Sequence, residues 1–204
     1  MLGADGIALR PHAPDDVAPM CAAVIESMST VGRWMPWCHA GYSMHDARSF
    51  YERCAAGWAG EGDREFGIFD SASGEVLGCI GINQIHRDNL FANMGYWVRA
   101  SRERRGIGSA AARLASRFAF TELGLARIEI VALPDNVASR RVAEKIGARL
   151  ECVARNRLQF RRMVGERAGI DRAVQNLDDR TRHSRRFHRV RDRINAERHG
   201  GLRV

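Results

Sequence analysis

The chain has 204 residues, 45% of them hydrophobic, a length and composition that suit one well-buried soluble domain with an appendage. Its formal net charge of +8 is uneven: residues 1–160 hold 19 basic and 18 acidic side chains, and residues 161–204 hold 13 arginines against 6 acids. The excess charge therefore belongs to the tail and is no nucleic-acid footprint on the folded part. No apolar run approaches the roughly 20 residues that cross a bilayer, and the N-terminus lacks a secretory pattern. Five scattered cysteines without a CxxC pair exclude a disulfide framework and a zinc site, and suit a reducing cytoplasm.

In chain order, Ile7–Arg10 predicts a short strand stopped by Pro11. Pro14-Asp15-Asp16 opens a helix to about Met28, with carboxylates where the helix dipole favours them. Trp34, Met35 and Trp37 cluster around Pro36, as either a substrate-groove wall or a cap over the core. Ser43 caps a second helix, with Asp46 three residues on. Arg64–Phe69 and Val76–Ile85 predict a hairpin around Asp70–Gly74, and Phe91–Arg99 a further strand. A glycine-arginine loop over Arg102–Gly108 opens a helix, Ser109–Leu123, that ends at Gly124. Strand Arg127–Leu133, helix Asn136–Ile146 and strand Ala148–Phe160 follow. This order predicts an α/β fold with a mixed sheet and a βαβ crossover in its second half.

Two passages carry chemistry. In GYWVRASRERRGIGSAA, Gly95–Ala112, a strand runs into a loop whose Gly106 and Gly108 let backbone approach a ligand, and the next helix starts with free N–H groups aimed there. With Arg102, Arg104 and Arg105 this is an anion site suited to a pyrophosphate, or a tight turn with solvated arginines. It is neither a Walker A sequence nor a GxGxxG fingerprint, since Ala111 stands at the third glycine. In PDNVASRRVAEKIGARLE, Pro134–Glu151, Asn136 is an N-cap and Ser139 lies three residues on, on the same helix face.

Together, strand, (R/Q)xxGxG-like loop, helix, strand and NxxSxxxxxKxG resemble the GNAT acetyltransferase superfamily. GRWMPW, the asparagine of GCIGINQI, and GYWV resemble its branch that acetylates ribosomal-protein N-termini. The resemblance covers about Ile7–Gln159 and implies a mixed, centrally splayed sheet with helices on both faces. It implies acetyl-CoA in the splay, as acetyl donor. The backbone of Tyr96, Trp97 and Val98 would bond the pantetheine arm and acetyl carbonyl. Arg104, Arg105, Gly106, Ile107, Gly108 and Ser109 would hold the pyrophosphate, and Asn136 the pantetheine. The implied reaction is direct attack of a neutral amine on the thioester, with Ser139 either the acid for the leaving thiolate or a helix-capping residue.

The chain departs from the family at three places. Glu103 stands where Arg or Gln opens the glycine motif, with Arg102 or Arg104 to supply the charge. Leu158 aligns with the glutamate base of relatives, and Glu151 is seven residues away, so no general base is assigned; His86 and Asp88 are expected in a loop beside the substrate cleft. After residue 160 no alternating apolar run follows, so the final strand is expected to be missing and one sheet edge unpaired. The chain is thus divided into a GNAT-like domain, 1–160, and an Arg-rich tail, 161–204, disordered or partly helical. Three readings of the tail are weighed: a basic arm for RNA or the ribosome, an inert appendage, or out-of-frame translation of a lost strand; the last is the expectation, because the composition changes abruptly where the family pattern is lost. A neighbouring reading frame without a strand-like ending would sink the last.

The expected acceptor is a protein N-terminus or, alternatively, a small amine; a catalytically weak acyl-CoA- or RNA-binding module is the competing class. A cytoplasmic monomer or homodimer without membrane contact is expected.

Overall fold

A computed structural model describes residues 1–60, 62–161 and 167–178. Strand β1 (Leu2–Ala4) turns through Asp5-Gly6, both at positive φ, into β2 (Ile7–Arg10). A 3₁₀ turn, Pro14–Asp16, leads into α1 (Val17–Glu26), and α2 (Met44–Ala59) follows. The Asp16 carboxylate fixes the first corner by taking a forked pair of bonds from Arg10, 2.6 and 2.8 Å, and a third from the Ala13 N–H. Ser43 and Asp46 form the expected capping box at the head of α2.

Next come β3 (Arg64–Asp70), β4 (Val76–His86) and β5 (Phe91–Val98), then α3 (Ile107–Thr121), β6 (Arg127–Ala132), α4 (Val137–Lys145) and β7 (Arg149–Arg161). The described strands form one mixed sheet, ordered β1-β2-β3-β4-β5-β6-β8-β7, in which only β5 and β6 run parallel. On one face α3 lays Ala111, Ala112, Ala115 and Ala119, all fully buried, against Ile68, Ile80, Ile82 and Met94. Small side chains let the helix settle close to the sheet. On the other face α1 and the segment after it bury Met20, Val24, Val31 and Cys38 with Phe69, Cys79 and Trp97. Helices thus cover both faces, as expected.

The expected loss of the final strand is wrong. Residues Arg167–Asp178 form β8, antiparallel to β6 on one side and β7 on the other. Among the described residues, Arg167–Asp178 belong to the sheet and not to a tail, and β6 is not left as an open edge. The pattern was hidden in β8 itself, where the alternate residues Ala168, Ile170 and Val174 are interrupted by Arg172; the register shifts fall on β7, between Leu150 and Cys152 and between Ala154 and Leu158. A strand bonded on both sides is also held by its backbone, whatever its charge content. Expectations about residues 179–204 lie outside the described residues.

Candidate active site

Strand pairing between β5 and β6 stops early. Phe91, Ala92 and Asn93 pair with Arg127, Ile128 and Glu129, and no further, although β5 runs on to Val98 and β6 to Ala132. On its other edge β5 remains paired with β4 as far as Val98 opposite Gly78. The two central strands therefore part at their C-terminal ends, and the β6-facing edge of Gly95–Val98 has no strand partner among the described residues.

The residues expected at the site converge on this opening. Alternation sends Tyr96 toward α4 and Trp97 to the α1 face. Tyr96 Oη donates to the Ser139 carbonyl at 2.8 Å and accepts from Ser139 Oγ at 3.2 Å, so a hydroxyl pair bridges β5 and α4. Burial pushes the Tyr96 phenol up to about 12. Trp97 is buried beneath Trp37, ring centroids 5.8 Å apart, and Trp37 itself is 41% exposed, while Met35 packs into the core cluster on the α1 face. Val98 approaches α3: a β carbon on Gly108 would stand 3.6 Å from its Cγ2 and 3.4 Å from Val142 of α4.

The head of α3 faces the same place. Gly106 caps the helix at φ +81°, and the first intrahelical N–H is that of Ala110, bonded to the Gly106 carbonyl. The N–H groups of Ile107, Gly108 and Ser109 consequently have no intrahelical acceptor, and they sit at the positive end of the dipole. The helix begins two residues earlier than expected, so both Ile107 and Gly108 lie in its first turn. Arg104, at φ +59°, and Arg105 are exposed beside it. Across the opening Asn136 caps α4, its Oδ1 accepting from the Ser139 N–H at 3.1 Å, which leaves its amide nitrogen to serve another partner.

Arg102 does not join the cradle. It is tied to Glu75 at 2.6 Å, and Arg99 pairs with Glu75 and with Glu26 at 2.6 Å. The Glu26 carboxylate also takes the Ser101 N–H, and buried Ser27 Oγ takes that of Ala100. These contacts anchor the loop between β5 and α3, and bonding to Ser101 and Arg99 holds the Glu26 carboxyl below its ordinary range. No spacing signal marked these two glutamates, because their partners lie more than twenty residues away.

Two further expectations change. His86 and Asp88 lie at the β4–β5 turn, where His86 stacks on Phe91, 5.1 Å between centroids. That is the closed end of the β5–β6 pair, about 20 Å along the strand from Val98. Glu151 is engaged by Arg127 at 2.9 and 3.0 Å, and is a structural partner rather than a base.

Residues 7–149 match the family model described as the acetyltransferase (GNAT) domain. The Bacillus subtilis protein named "Putative ribosomal N-acetyltransferase YdaF" is 30% identical over 154 residues, 74% of this chain and 82% of that one. The "Probable N-acetyltransferase YjcK" of the same organism is 38% identical over 96 residues, 47% of this chain and 53% of its own, so the match spans about half of that relative. The solved microcin C7 self-immunity acetyltransferase MccE, in complex with acetyl-CoA and AMP, shares the fold. Its TM-score is 0.73 at 22% identity, covering 86% of this chain and 93% of that one. A splayed β5–β6 pair beside a donor-rich helix head, within a match that spans most of the chain, has one reading: this chain belongs to the GNAT acetyltransferase family.

Proposed function

We propose that this protein transfers the acetyl group of acetyl-CoA to a primary amine, the N-terminal amine of a protein and specifically of a ribosomal protein. The observation that carries this reading is the parting of β5 from β6 beside the open N–H groups of α3. A free strand edge matches the amide groups of a pantetheine arm, and a helix head matches its pyrophosphate.

Acetyl-CoA supplies the activated acetyl group; the remaining tasks fall to residues of this chain. The free edge of Tyr96, Trp97 and Val98 bonds the pantetheine arm, and its N–H groups stabilise the oxyanion as it develops. Arg104 and Arg105 add charge to the backbone donors of Gly106, Ile107, Gly108 and Ser109 at the pyrophosphate. Asn136 turns its amide nitrogen to the pantetheine. Ser139 protonates the leaving thiolate. The protein acceptor is supported by the likeness to YdaF and by the exposed Trp37 ring over Trp97. The catalytic domain extends to Asp178, and the Arg-rich residues beyond it contact ribosomal RNA by neutralising phosphates. The protein works in the cytoplasm, as a monomer or homodimer.

The experiment is calorimetric titration with acetyl-CoA, free CoA and ATP, followed by a CoA-release assay. Its acceptors are a peptide with a free N-terminus, the same peptide N-acetylated, and a polyamine. Micromolar acetyl-CoA binding and turnover of the free peptide alone are expected. Turnover of the polyamine alone would move the acceptor to small amines. No acetyl-CoA binding by the folded protein would overturn the reading.

A further inference from the structure

The α1 face of the sheet carries a polar row that the tasks above leave unused. Glu65 on β3, Gly81 on β4 and Gly95 on β5 stand opposite one another in register. With no side chain on either glycine the row is a trough two strands wide, and the Glu65 side chain lies in it. A β carbon built on Gly81 would run into both carboxylate oxygens. The trough ends at Gly95, where β5 has already left β6. Asn83 Nδ2 donates to Glu65 Oε1 at 3.3 Å, and Asn93 Nδ2 donates to Asn83 Oδ1 at 2.8 Å. Two amides thus lead from the last paired residue of β5 to the carboxylate.

Glu65 is half-buried, and no cation among the described residues is paired with it. Around it stand Asp63, Cys54 of α2, Cys79 of β4 with Sγ 3.7 Å from Oε2, and His12 with Nε2 3.7 Å from that sulfur. Burial pushes the Glu65 carboxyl above the ordinary range against the Asn83 hydrogen bond, and Asp63 adds to the rise. Burial holds His12 down at about 4 and drives the thiols of Cys54 and Cys79 up, so none of the three is charged near neutrality. A desolvated carboxylate without a counter-ion is costly, and a primary ammonium is the small three-donor cation that relieves it.

We infer that the Glu65–Gly81–Gly95 trough is the acceptor-amine subsite and that Glu65 is the base that deprotonates the acceptor. This rests on the acetyltransferase reading of the opening. Neighbouring strands are about 4.8 Å apart, so a carboxylate over β4 reaches an amine lying at Gly95 directly or through one water. Glu65 accepts one of the three ammonium protons. The freed lone pair forms the C–N bond as the C–S bond breaks. The thiolate takes a second proton from the Ser139 hydroxyl, which recovers it from the amine nitrogen. The product amide keeps the third hydrogen, and Glu65 releases its proton to solvent.

Two variants test this, Glu65→Gln and Gly81→Ala, with turnover of the free-N-terminus peptide measured across pH and acetyl-CoA affinity measured by calorimetry. In Gly81→Ala the colliding atoms are the flexible end of Glu65, so the base is displaced without being changed. The wild-type kcat/KM is expected to rise along an acid limb set by Glu65. E65Q should abolish that limb and lower kcat about 10²-fold with acetyl-CoA affinity unchanged. G81A should lower kcat at least about tenfold at an unchanged Tm. Should E65Q lose acetyl-CoA binding through misfolding, G81A decides. Retention of wild-type kcat and acid limb in the folded variants would overturn the role of Glu65 and leave the acetyltransferase reading standing. A wild type that binds acetyl-CoA but releases CoA with no amine would overturn that reading, and this inference with it.

Discussion

Ser139 combines two jobs in one residue. Its N–H is bonded to the Asn136 cap, while its hydroxyl faces the Tyr96 phenol across the opening. Because burial holds Tyr96 near 12, that phenol stays protonated at neutral pH and keeps its bond to the Ser139 carbonyl. The phenol proton is committed to the Ser139 carbonyl, so in the proposed reaction the Ser139 hydroxyl is the group assigned to the thiolate. Ser139→Ala removes it without touching the cap, which uses only backbone N–H. A fall in kcat of about 10²-fold is expected, at a stability cost of about 1 kcal/mol and with acetyl-CoA affinity retained. Stopped-flow CoA release and a thermal melt check the two halves. An unchanged kcat would reduce Ser139 to a capping residue, the alternative its position in the sequence already allowed.

At the scale of the element, the head of α3 does what its neighbours in the chain dictate. Gly106 takes a left-handed conformation at the N-cap, and the next three N–H groups have no acceptor within the helix. Gly124 takes a similar one, φ +69°, at the other end of the same helix, about 22 Å away. A β carbon would meet nothing within 4 Å at either glycine, so substitution brings backbone strain without a clash. Gly106→Val and Gly124→Val should each cost about 1–2 kcal/mol. Only Gly106→Val should weaken acetyl-CoA binding, by tenfold or more on the order set by losing one charge-assisted bond. Paired calorimetry and thermal melts separate the two effects, and equal loss of affinity in both would detach the cradle from Gly106. Loop anchoring belongs to the same scale: Glu26 and Glu75 hold the approach to α3 from two other elements.

For the molecule as a whole the decisive element is β8. It pairs with β6 at six positions, whereas β5 pairs with β6 at three. The splay leaves half of the β5-facing edge of β6 unpaired, and the continuous ladder with β8 on the opposite edge is what holds β6 along its whole length. Truncation after Asp178 should leave Tm and acetyl-CoA affinity within error of the full chain. Truncation after Arg161 exposes the edge of β6 and should give an aggregating protein with a markedly lower Tm. Light scattering and thermal melts on the two truncations decide this, and a stable shorter form would show that β8 is dispensable. Cutting at Asp178 also tests the proposed basic arm, since salt-sensitive RNA binding should vanish with residues 179–204.

The amino-acid sequence by itself determined the features written in local chemistry. The Ser43–Asp46 capping box, the Asn136 cap, the glycine at the head of α3 and the order of strands and helices up to residue 160 all depend on residues a few positions apart. The short β1 was missed, although Asp5-Gly6, a hairpin dipeptide, marks the turn that joins it to β2. Other features depend on which strands end up adjacent. The splay is a property of pairing between β5 and β6, thirty-odd residues apart in the chain. The trough needs Glu65, Gly81 and Gly95 to fall in one row across three strands. β8 is recognised by the two strands it joins rather than by its own alternation. Spacing along the chain carries no information about register between strands, and only the assembled sheet lays a half-buried carboxylate over β4 in the row that ends at Gly95.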